Sequence, residues 1–391
     1  MADDSKSFLK LVPGNSLLFT AGPVNVPEEI RDELSASMIS HRSGAFIHVY
    51  ESVVESLRVL LGTDGYIIPI SASGTGGMEA ALINCLAPGD RVLVMEQGKF
   101  SSRWVTMSHT LGLDVTGGVH LTDHDSLHKD VIVRKLKHDN NIKAVIIVHC
   151  ETSTGAINDI QNIASAVHEN SNAILIVDAI STFATVPIKM DEWGIDVVVF
   201  TSNKGLMNPP GVAFIGVNKR TFDLARKNKR SYYFDFENTI NAYRNGIGSP
   251  FTPSIPVFRG VNRAINLIND TGYELFLAQH GKIAHAFRQC IKHTGLKIWP
   301  YIPSDSVTVI EMPSFIRGAE FVEEMERATG ILLSKGQGSL LDKVVRIGHF
   351  GIINIEDYKD LLSSFISILK RYGINTNRDE VLKILEENYI F

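Results

Sequence analysis

The chain contains 391 residues, with 38 Lys and Arg against 43 Asp and Glu, and its formal net charge is −5 at pH 7. This balance excludes the basic surface that nucleic acids require and a polybasic membrane patch. No apolar run approaches the roughly 18–20 residues that span a bilayer, and residues 1–7 lack the pattern of a secretory signal. The three cysteines, Cys85, Cys150 and Cys290, are far apart in the sequence. They argue against a disulfide framework or a zinc site and predict a reducing, cytoplasmic setting.

Near-continuous runs of Val, Ile and Leu predict strands in the first two-thirds of the chain. They cover residues 91–95, 143–148, 173–177 and 196–201. Runs that do not alternate with polar residues are typical of strands buried on both faces, as in a mainly parallel sheet covered by helices. Helix-like segments at 126–137 and 160–169 lie between these strands. The run at 212–217 predicts an antiparallel neighbour, because only a short turn precedes it.

Gly and Pro become dense between Asn245 and Pro253, and we place a domain boundary after this segment. A helical pattern follows at 255–269, and the last third of the chain mixes helices with short strands. The predicted helices cover 321–329, 357–372 and 379–387, and the predicted strands cover 307–311 and 344–348. The sequence therefore predicts an α/β fold with an N-terminal segment at 1–20, a large domain at 21–254 and a small C-terminal α+β domain at 255–391.

A loop of small residues at 71–77 leads into strong helix formers that continue to Leu82. A glycine such as Gly74 lets the backbone approach a phosphate, and the free N–H groups and dipole of a new helix favour a dianion. The hydroxyls of Ser73 and Thr75 are further donors. The same pattern fits a plain turn between a strand and a helix, and the spacing GxxxxGK[ST] of an ATP-binding loop is absent from the sequence.

A carboxylate and an amine each follow a predicted strand. Asp178 ends the run at 173–177, and Lys204 lies in the polar turn between the strand at 196–201 and Pro209-Pro210-Gly211. Pyridoxal phosphate (PLP) requires an amine that forms an imine with its aldehyde and an anion that keeps its pyridine nitrogen protonated. The pair therefore predicts PLP. Taken alone, Asp178 also fits a helix N-cap, and Lys204 also fits a surface turn.

Aromatic residues and a buried arginine add to this pattern. Phe100 or Trp104, after the strand at 91–95, can stack on a planar ring, although a core aromatic is the commoner explanation for either. Arg346 places a charge inside the apolar strand at 344–348. A buried arginine needs an anion, and a substrate carboxylate and a structural ion pair explain it equally well.

The order and spacing of these residues resemble the class V aminotransferases of PLP fold type I, and look closest to the alanine–glyoxylate and serine–pyruvate aminotransferase branch. The resemblance covers residues 18–369. It rests on Gly22-Pro23, Ser73-Gly74-Thr75, Phe100, Glu151-Thr152-Ser153-Thr154-Gly155, Asp178, Lys204 and Arg346. It implies a mainly parallel seven-stranded sheet in the large domain, pyridoxal 5'-phosphate as the cofactor, and a homodimer with shared active sites.

The resemblance also implies a role for each matching residue. Lys204 forms the internal aldimine, and Asp178 pairs with the pyridinium. Phe100 stacks on the ring where the family often has Trp, and Arg346 binds the substrate carboxylate. Three further roles are implied. Ser153 lies near the ring hydroxyl, and the backbone of Gly22 contacts the substrate. The phosphate is bound by Ser73, Gly74, Thr75 and Asn203.

One segment departs from the family pattern. Residues 249–254 fall where the family reaches across a dimer to the partner's phosphate, often with Tyr and Thr. Phe251 has no hydroxyl, so the resemblance leaves this contact to Thr252 or Ser254. The segment His41-Arg42-Ser43 is a further candidate for the partner's site.

These residues predict a transaminase that moves an amino group from a small amino acid of the alanine or serine type to a 2-oxo acid such as glyoxylate or pyruvate. The alternative within PLP chemistry is transfer from 2-aminoethylphosphonate to pyruvate, because Arg346 can hold either anion. Cysteine desulfuration is disfavoured, because the last cysteine, Cys290, lies in an apparent helix. A non-catalytic protein on the same fold is disfavoured by the presence of both Asp178 and Lys204.

A metal-dependent hydrolase is the alternative outside PLP chemistry. Histidines recur every four residues at His120, His124 and His128, with Asp123 and Asp125 beside them. On one face of a helix these side chains would form a metal site. The intervening segment, however, has the pattern of a loop and a helix cap, which favours a solvated polar segment.

Overall fold

A computed structural model describes residues 17–116, 119–120 and 124–389 of the chain. Its strands are β1 Leu17–Leu18, β2 Tyr66–Ile70, β3 Arg91–Glu96, β4 Asp114–Val115, β5 Val119–His120, β6 Ile142–Val148, β7 Cys150–Glu151, β8 Ala156–Ile157, β9 Ile174–Asp178, β10 Val197–Thr201, β11 Ala213–Val217, β12 Lys297–Ile298, β13 Val307–Glu311, β14 Ile331–Leu332, β15 Ser334–Lys335 and β16 Val344–Gly348. Its α-helices are α1 Glu28–Ser35, α2 Gly44–Leu61, α3 Gly74–Cys85, α4 Lys99–Thr110, α5 Lys129–His138, α6 Ile160–Asn170, α7 Met190–Trp193, α8 Lys219–Ala225, α9 Phe236–Arg244, α10 Ile255–Thr271, α11 Tyr273–His293, α12 Gly318–Thr329, α13 Ile355–Arg371 and α14 Arg378–Asn388.

The region predicted as the large domain is built around an eight-stranded sheet. Seven strands follow one another in the order β2-β11-β10-β9-β6-β3-β4, and the short β5 also pairs with β3. Neighbours from β10 to β4 pair in parallel, whereas β11 is antiparallel to both β10 and β2. The predicted α/β fold with a mainly parallel sheet is confirmed, as is the antiparallel strand predicted at 212–217. The implied seven strands form the main path, and β5 adds an eighth.

Each central strand fills two hydrophobic cores. Along β10, Val198 and Phe200 pack into one core, while Val197 and Val199 pack into the other, and all four are fully buried. Successive side chains of a strand point to opposite faces of the sheet, so a strand between two helical layers must be apolar at every position. This is why the runs in the sequence are continuous instead of alternating.

The polar turns after these strands meet at one edge of the sheet. Strands β2, β3, β6, β9 and β10 all run in the same direction, because β2 and β10 are both antiparallel to the β11 strand that lies between them. Their carboxyl ends therefore lie side by side. In open α/β sheets this edge is where ligands bind.

The region predicted as the small domain contains an antiparallel sheet of order β12-β13-β16-β15, and the predicted strands at 307–311 and 344–348 are both present. Helices α11 to α14 cover this sheet and form a second core with it, in which Cys290 is buried. The N-terminal strand β1 pairs in parallel with β14, and Phe19 packs into the same core. The start of the described chain is thus anchored to the C-terminal part.

The change from one core to the other falls within α11. Helix α10 packs against α1 and α2, and Phe258 and Phe276 belong to the core of the large domain. Further along α11, Ile283 belongs to the core of the small domain. The Gly/Pro-rich segment that marks the predicted division at residue 254 forms the loop before α10, and the division itself stays a prediction.

Some helices differ from their predicted bounds. Helix α5 begins at Lys129 instead of Ser126, because the ring of His128 accepts a hydrogen bond from the amide of Asp130 and caps the helix. Helices α1, α2, α4, α8 and α9 occupy regions that the sequence left unassigned. Within the described ranges, none of the helices has both the length and the apolar composition needed to cross a membrane.

Candidate active site

The carboxyl edge of the central sheet contains a cavity of about 130 Å³. Its lining brings together seven residues that the sequence predicted for the site: Ser73, Gly74, Thr75, Phe100, Asp178, Asn203 and Lys204. Further lining residues, to which the sequence assigned no role, are Arg103, Val148, Cys150, Thr152, Ile180, Ser181, Thr201 and Pro210. The predicted amine, carboxylate and phosphate loop therefore surround one space.

Asp178 ends β9, and its carboxylate is almost completely buried. Its Oδ2 accepts a hydrogen bond from the indole Nε1 of Trp104 at 2.9 Å, and its Oδ1 accepts one from the amide of Ile180 at 3.0 Å. Burial raises the pKa of Asp178 to about 6, and both hydrogen bonds oppose this rise. Trp104 is thus a core aromatic whose N–H orients the carboxylate. The contact with Ile180 is local to the turn that follows β9, and the next helix along the chain begins only at Met190, so Asp178 is not the helix N-cap of the alternative interpretation.

Lys204 lies in the turn after β10, where its carbonyl accepts a hydrogen bond from the amide of Met207 at 2.9 Å. Its Nζ donates a hydrogen bond to the carbonyl oxygen of Ala21 and lies 5.3 Å from the ring centroid of Phe350. Burial and, to a smaller extent, the positive charge of Arg346 together lower the pKa of Lys204 to about 8. The alternative of a solvated surface lysine is therefore wrong.

Gly22 leaves the space in which the Lys204 amine lies. A Cβ atom at this position would overlap Nζ and Cε of Lys204. The φ angle of Gly22 is +107°, a conformation that residues with a side chain rarely adopt. The lack of a side chain at Gly22 therefore leaves room for the lysine. The implied contact of the Gly22 backbone with a substrate stays a prediction.

The loop before α3 has the features of an anion site. Ser73 is the N-cap of α3. The first backbone hydrogen bond of the helix is donated by the amide of Gly77 to the carbonyl oxygen of Ser73 at 3.1 Å. The three preceding amides thus point out of the helix start with no partner inside it. A Cβ at Gly74 would lie 2.7 Å from Cδ1 of Ile180, so glycine allows this helix start to lie against the end of β9.

Glu151 is a fully buried carboxylate whose role the sequence did not indicate. Its side-chain oxygens accept hydrogen bonds from the amide of Phe100 at 3.2 Å and from the amide of Ser101 at 2.9 Å. These amides belong to the first turn of α4, where a carboxylate is stabilised by free N–H groups and by the helix dipole. Glu151 therefore fixes the helix that carries Phe100. Its position in the motif Glu151–Gly155 was the signal that could have identified it.

The neighbours Thr152 and Ser153 occupy different environments. The hydroxyl of Ser153 donates to Glu151 and accepts a hydrogen bond from the amide of Lys99 at 3.0 Å. The hydroxyl of Thr152 forms a 2.6 Å hydrogen bond with that of Ser181, and both residues line the cavity. Among the described residues, Ser153 is not part of the lining, so its implied contact with the ring hydroxyl stays a prediction for which Thr152 is better placed.

Arg346 lies on β16 and is buried. Its Nε donates to the carbonyl oxygen of Lys335 at 2.8 Å, and its Nη1 donates to that of Thr152 at 3.1 Å. Burial lowers the pKa of Arg346 to about 10, and the negative charge of Glu151 opposes this shift. No carboxylate in the described part of the chain forms a salt bridge with Arg346, so the structural ion pair is not found there.

Thr252 and Ser254 lie in the loop before α10, outside the cavity lining that the described residues form. The amide of Ser254 donates to the hydroxyl of Ser71 at 3.0 Å. The ring of Phe251 stacks on Tyr233 with 5.2 Å between centroids. A contact of Thr252 or Ser254 with the phosphate of a partner stays a prediction.

Arg42 holds this loop within its own chain. Its guanidinium donates to the carbonyl oxygens of Ile247 at 3.1 Å, Ser249 at 2.6 Å and Pro250 at 3.1 Å. The segment His41-Arg42-Ser43 therefore has an observed structural role in shaping residues 247–250. Its suggested place in a partner's site stays a prediction.

The residues of the metal-site alternative have other contacts. The His120 side chain and Asp123 lie outside the described residues. His124 stacks on Trp299 with 4.0 Å between ring centroids, and His128 caps α5. Throughout the part of the chain that the structure describes, no group of three or more His, Cys, Asp or Glu side chains is arranged to hold a metal ion.

Comparison with known proteins places this geometry in context. Residues 20–357 match the family described as Aminotransferase class-V. A serine–glyoxylate aminotransferase of Arabidopsis thaliana is 32% identical over 369 residues, which make up 92% of each chain. The 42 kDa subunit of a soluble hydrogenase of Anabaena cylindrica is 32% identical over 91% of this chain and 94% of its own.

Solved structures extend the likeness to the whole fold. The crystal structure of ureidoglycine–glyoxylate aminotransferase from Bacillus subtilis has a TM-score of 0.90 and 26% sequence identity. The superposition covers 97% of this chain and 99% of the other. The family match includes every residue from Gly22 to Arg346, and thus the entire cavity.

Proposed function

Because the chain belongs to the class-V aminotransferase family, we propose that it moves an amino group from a small amino acid of the alanine or serine type to a 2-oxo acid such as glyoxylate or pyruvate, with pyridoxal 5'-phosphate as the cofactor. The observation that carries the proposal is the meeting of Lys204, Asp178 and the loop before α3 in one cavity. Two similar proteins, from Arabidopsis thaliana and Bacillus subtilis, are named for reactions with glyoxylate, which supports the choice of acceptor.

The side chains of the cavity fit this cofactor. The free amides at the start of α3, with Ser73, Thr75 and Asn203 beside them, suit a phosphate dianion. At the end of β9, Asp178 supplies the buried carboxylate that a pyridinium nitrogen needs, and Phe100 supplies an aromatic face. For the ring hydroxyl we propose Thr152 as the partner, because its own hydroxyl reaches the cavity.

Asp178 keeps a proton on the ring nitrogen. When bound, the cofactor supplies an aldehyde for the amino group and a protonated ring that withdraws electrons from the substrate's α-carbon. With a pKa of about 6, the Asp178 carboxylate is largely ionised at neutral pH, as this role requires. The hydrogen bonds from Trp104 and Ile180 hold it in one orientation.

Lys204 supplies the amine that would hold the cofactor's aldehyde, and the same amine would move the proton. Its pKa of about 8 lies close to neutral pH, so a useful fraction of the amine is uncharged and can act as a general base. In this role Nζ takes a proton from the substrate's α-carbon. The carbonyl of Ala21 and the ring of Phe350 keep the amine inside the cavity.

Arg346 binds the carboxylate of both substrates. The donor and the 2-oxo acid acceptor each carry one carboxylate beside the reacting carbon, so a single arginine serves both halves of the reaction. The carbonyl oxygens of Lys335 and Thr152 fix Nε and Nη1. Among the described residues, Nη2 has no hydrogen-bond acceptor, which leaves this edge of the guanidinium for a substrate.

A homodimer with shared active sites is part of the proposal. Thr252 and Ser254 lie beside their own cavity and not in its described lining, which suits residues that serve a second copy. The adjacent aromatic residues Tyr232 and Tyr233 are 82% and 44% exposed, and a group of exposed large side chains can mark a protein interface. Size-exclusion chromatography with light scattering tests this part directly, and a monomer at catalytic concentration would contradict it.

The first experiment records the absorbance of the purified protein in the visible and near-ultraviolet range after incubation with PLP. L-alanine, L-serine and 2-aminoethylphosphonate are then added in separate samples. We expect a visible band that L-alanine or L-serine converts to a near-ultraviolet band. Lys204→Ala is the negative control, and Lys383→Ala, on the exposed face of α14, is the matched control.

The outcomes separate the candidate functions. A band that only 2-aminoethylphosphonate converts would replace the amino acid donor with an aminophosphonate. A protein that stays colourless with added PLP would overturn the proposed cofactor. A band that no amine donor converts would favour a role without transamination, as the name of the similar Anabaena protein leaves open.

A further inference from the structure

Arg103 is a cation of the cavity wall to which neither the sequence patterns nor the proposed reaction gives a role. It lies on α4 between Phe100 and Trp104 and lines the cavity. Its Nη1 donates a hydrogen bond to the Thr75 hydroxyl at 3.1 Å, and its Cζ lies 5.2 Å from the centroid of the Phe100 ring. The guanidinium thus joins the aromatic wall to the loop before α3.

No carboxylate within the described ranges forms a salt bridge with Arg103. A partly buried guanidinium in a cavity needs an anion, because its charge loses hydration without another partner. The hydroxyl of Thr75 satisfies one donor only, and the fork of an arginine side chain carries five. The charge of Arg103 also acts on the Asp178 carboxylate without a salt bridge between them, and the remaining donors are available to an anionic ligand in the cavity.

The contact with Thr75 indicates where that anion lies. Because the Thr75 oxygen accepts from Arg103, its own O–H is free to donate to a second group. The free amides at the start of α3 are in the same loop. A cation, a hydroxyl donor and free amides together suit a phosphate dianion.

We propose that Arg103 is a phosphate-binding residue, which holds the cofactor's phosphate together with the Thr75 hydroxyl and the amides of α3. This inference rests on the proposed PLP-dependent function. It assigns the phosphate a fixed positive charge from its own chain. Arg103 is then a binding residue, and its contact with the Phe100 ring holds the guanidinium at the cavity wall.

The test compares PLP with pyridoxal, which has the same ring and aldehyde but no phosphate. Apoprotein is titrated with each compound, and binding is followed by the visible absorbance band and by quenching of tryptophan fluorescence. Arg103→Gln removes the charge and keeps an amide donor, and Thr75→Val removes the hydroxyl and keeps the shape. Arg134→Gln, an exposed arginine on α5, is the matched control.

We expect Arg103→Gln to weaken PLP binding by about 10- to 100-fold, the range for a lost hydrogen bond between charged groups. Its pyridoxal binding should stay within about two-fold of wild type. Thr75→Val should show the same selectivity with a smaller loss, and Arg134→Gln should change neither. Arg103→Lys keeps the charge and should recover part of the PLP affinity.

Two results would overturn the inference alone. One is unchanged PLP binding by Arg103→Gln, and the other is an equal loss of PLP and pyridoxal, which would mean that Arg103 acts on the ring or on Asp178. If Arg103→Gln melts well below wild type, Thr75→Val decides the test. The inference then requires that Thr75→Val loses affinity for PLP and keeps its affinity for pyridoxal. A wild-type protein that binds neither compound would overturn the proposed function as well.

Discussion

The proposed site has a cofactor end in the lining of the cavity and a substrate end beside that lining, and the two ends are built in different ways. At the cofactor end, Asp178 and Lys204 follow adjacent parallel strands of one sheet. At the substrate end, Ala21 comes from near the start of the described chain and Arg346 comes from β16. The amide of Ala21 donates to the hydroxyl of Ser334 at 2.9 Å. The cofactor end thus depends on neighbouring strands, whereas the substrate end depends on contacts between distant parts of the chain.

This difference predicts that the two ends respond differently to substitution. A change at the cofactor end should alter the spectrum of the loaded enzyme and its turnover number. A change at the substrate end should alter KM and leave cofactor binding largely intact. Residues that lie between the ends should affect both.

Lys204→Ala is expected to have the largest effect, because its amine belongs to both ends. Loss of a general base alone costs about 10²- to 10⁴-fold in rate, and loss of the amine that carries the aldehyde adds to this. Turnover is measured as the pyruvate that forms from L-alanine when glyoxylate is the acceptor. Lys383→Ala should match wild type, and a Lys204→Ala enzyme with wild-type turnover would refute the assigned role.

Arg346→Gln tests the substrate end. A lost hydrogen bond between charged groups costs about 1.5–3 kcal/mol, so KM for the amino acid should rise about 10- to 100-fold. The visible band of the loaded enzyme should remain. Reaction with a simple alkylamine, which has no carboxylate, serves as the control and should not change. Equal losses with both donors would mean that Arg346 only supports the fold through Thr152 and Lys335.

The cofactor end was largely predictable from the sequence. Asp178 and Lys204 could be paired because parallel strands end at one edge of a sheet, and each residue ends or follows a recognisable apolar run. The loop at 73–75 was recognisable from its small residues before a helix. Short-range patterns were sufficient for these positions.

The rest of the site depends on contacts that no short pattern encodes. Thr152 and Ser153 are neighbours in one motif, yet only the folded chain determines that the first reaches the cavity and the second binds Glu151. The contact between Lys204 and Ala21 joins residues far apart in sequence. Arg103 gave no signal, since a charged residue on a helix is usually solvated.

Trp104→Phe tests the cofactor end through the pH dependence of kcat. The indole N–H donates to the charged form of Asp178, so its removal favours the protonated form and raises the pKa above about 6. Activity should fall when this carboxylate is protonated. The acidic limb of the plot of kcat against pH should therefore move to higher pH, and kcat in mildly acidic buffer should fall several-fold. An unmoved limb with a lowered melting temperature would indicate a packing role only.

A smaller effect should connect the two ends. Arg346 lowers the pKa of Lys204 by charge repulsion, after burial, so Arg346→Gln should raise that pKa above about 8. Only the neutral amine reacts with an aldehyde, and one pKa unit changes the neutral fraction about tenfold below the pKa. The rate at which apoprotein takes up PLP at neutral pH should therefore fall.

The pH dependence of this uptake separates charge from packing. In wild type the uptake rate should rise with pH through about 8, and in Arg346→Gln the same rise should occur at higher pH. Arg346→Lys keeps a positive charge and should retain the wild-type midpoint. If all three proteins share one midpoint, the substrate end does not act electrostatically on the lysine. The ends would then be joined by hydrogen bonds, such as those between Lys204 and Ala21 and between Arg346 and Thr152, and not by charge.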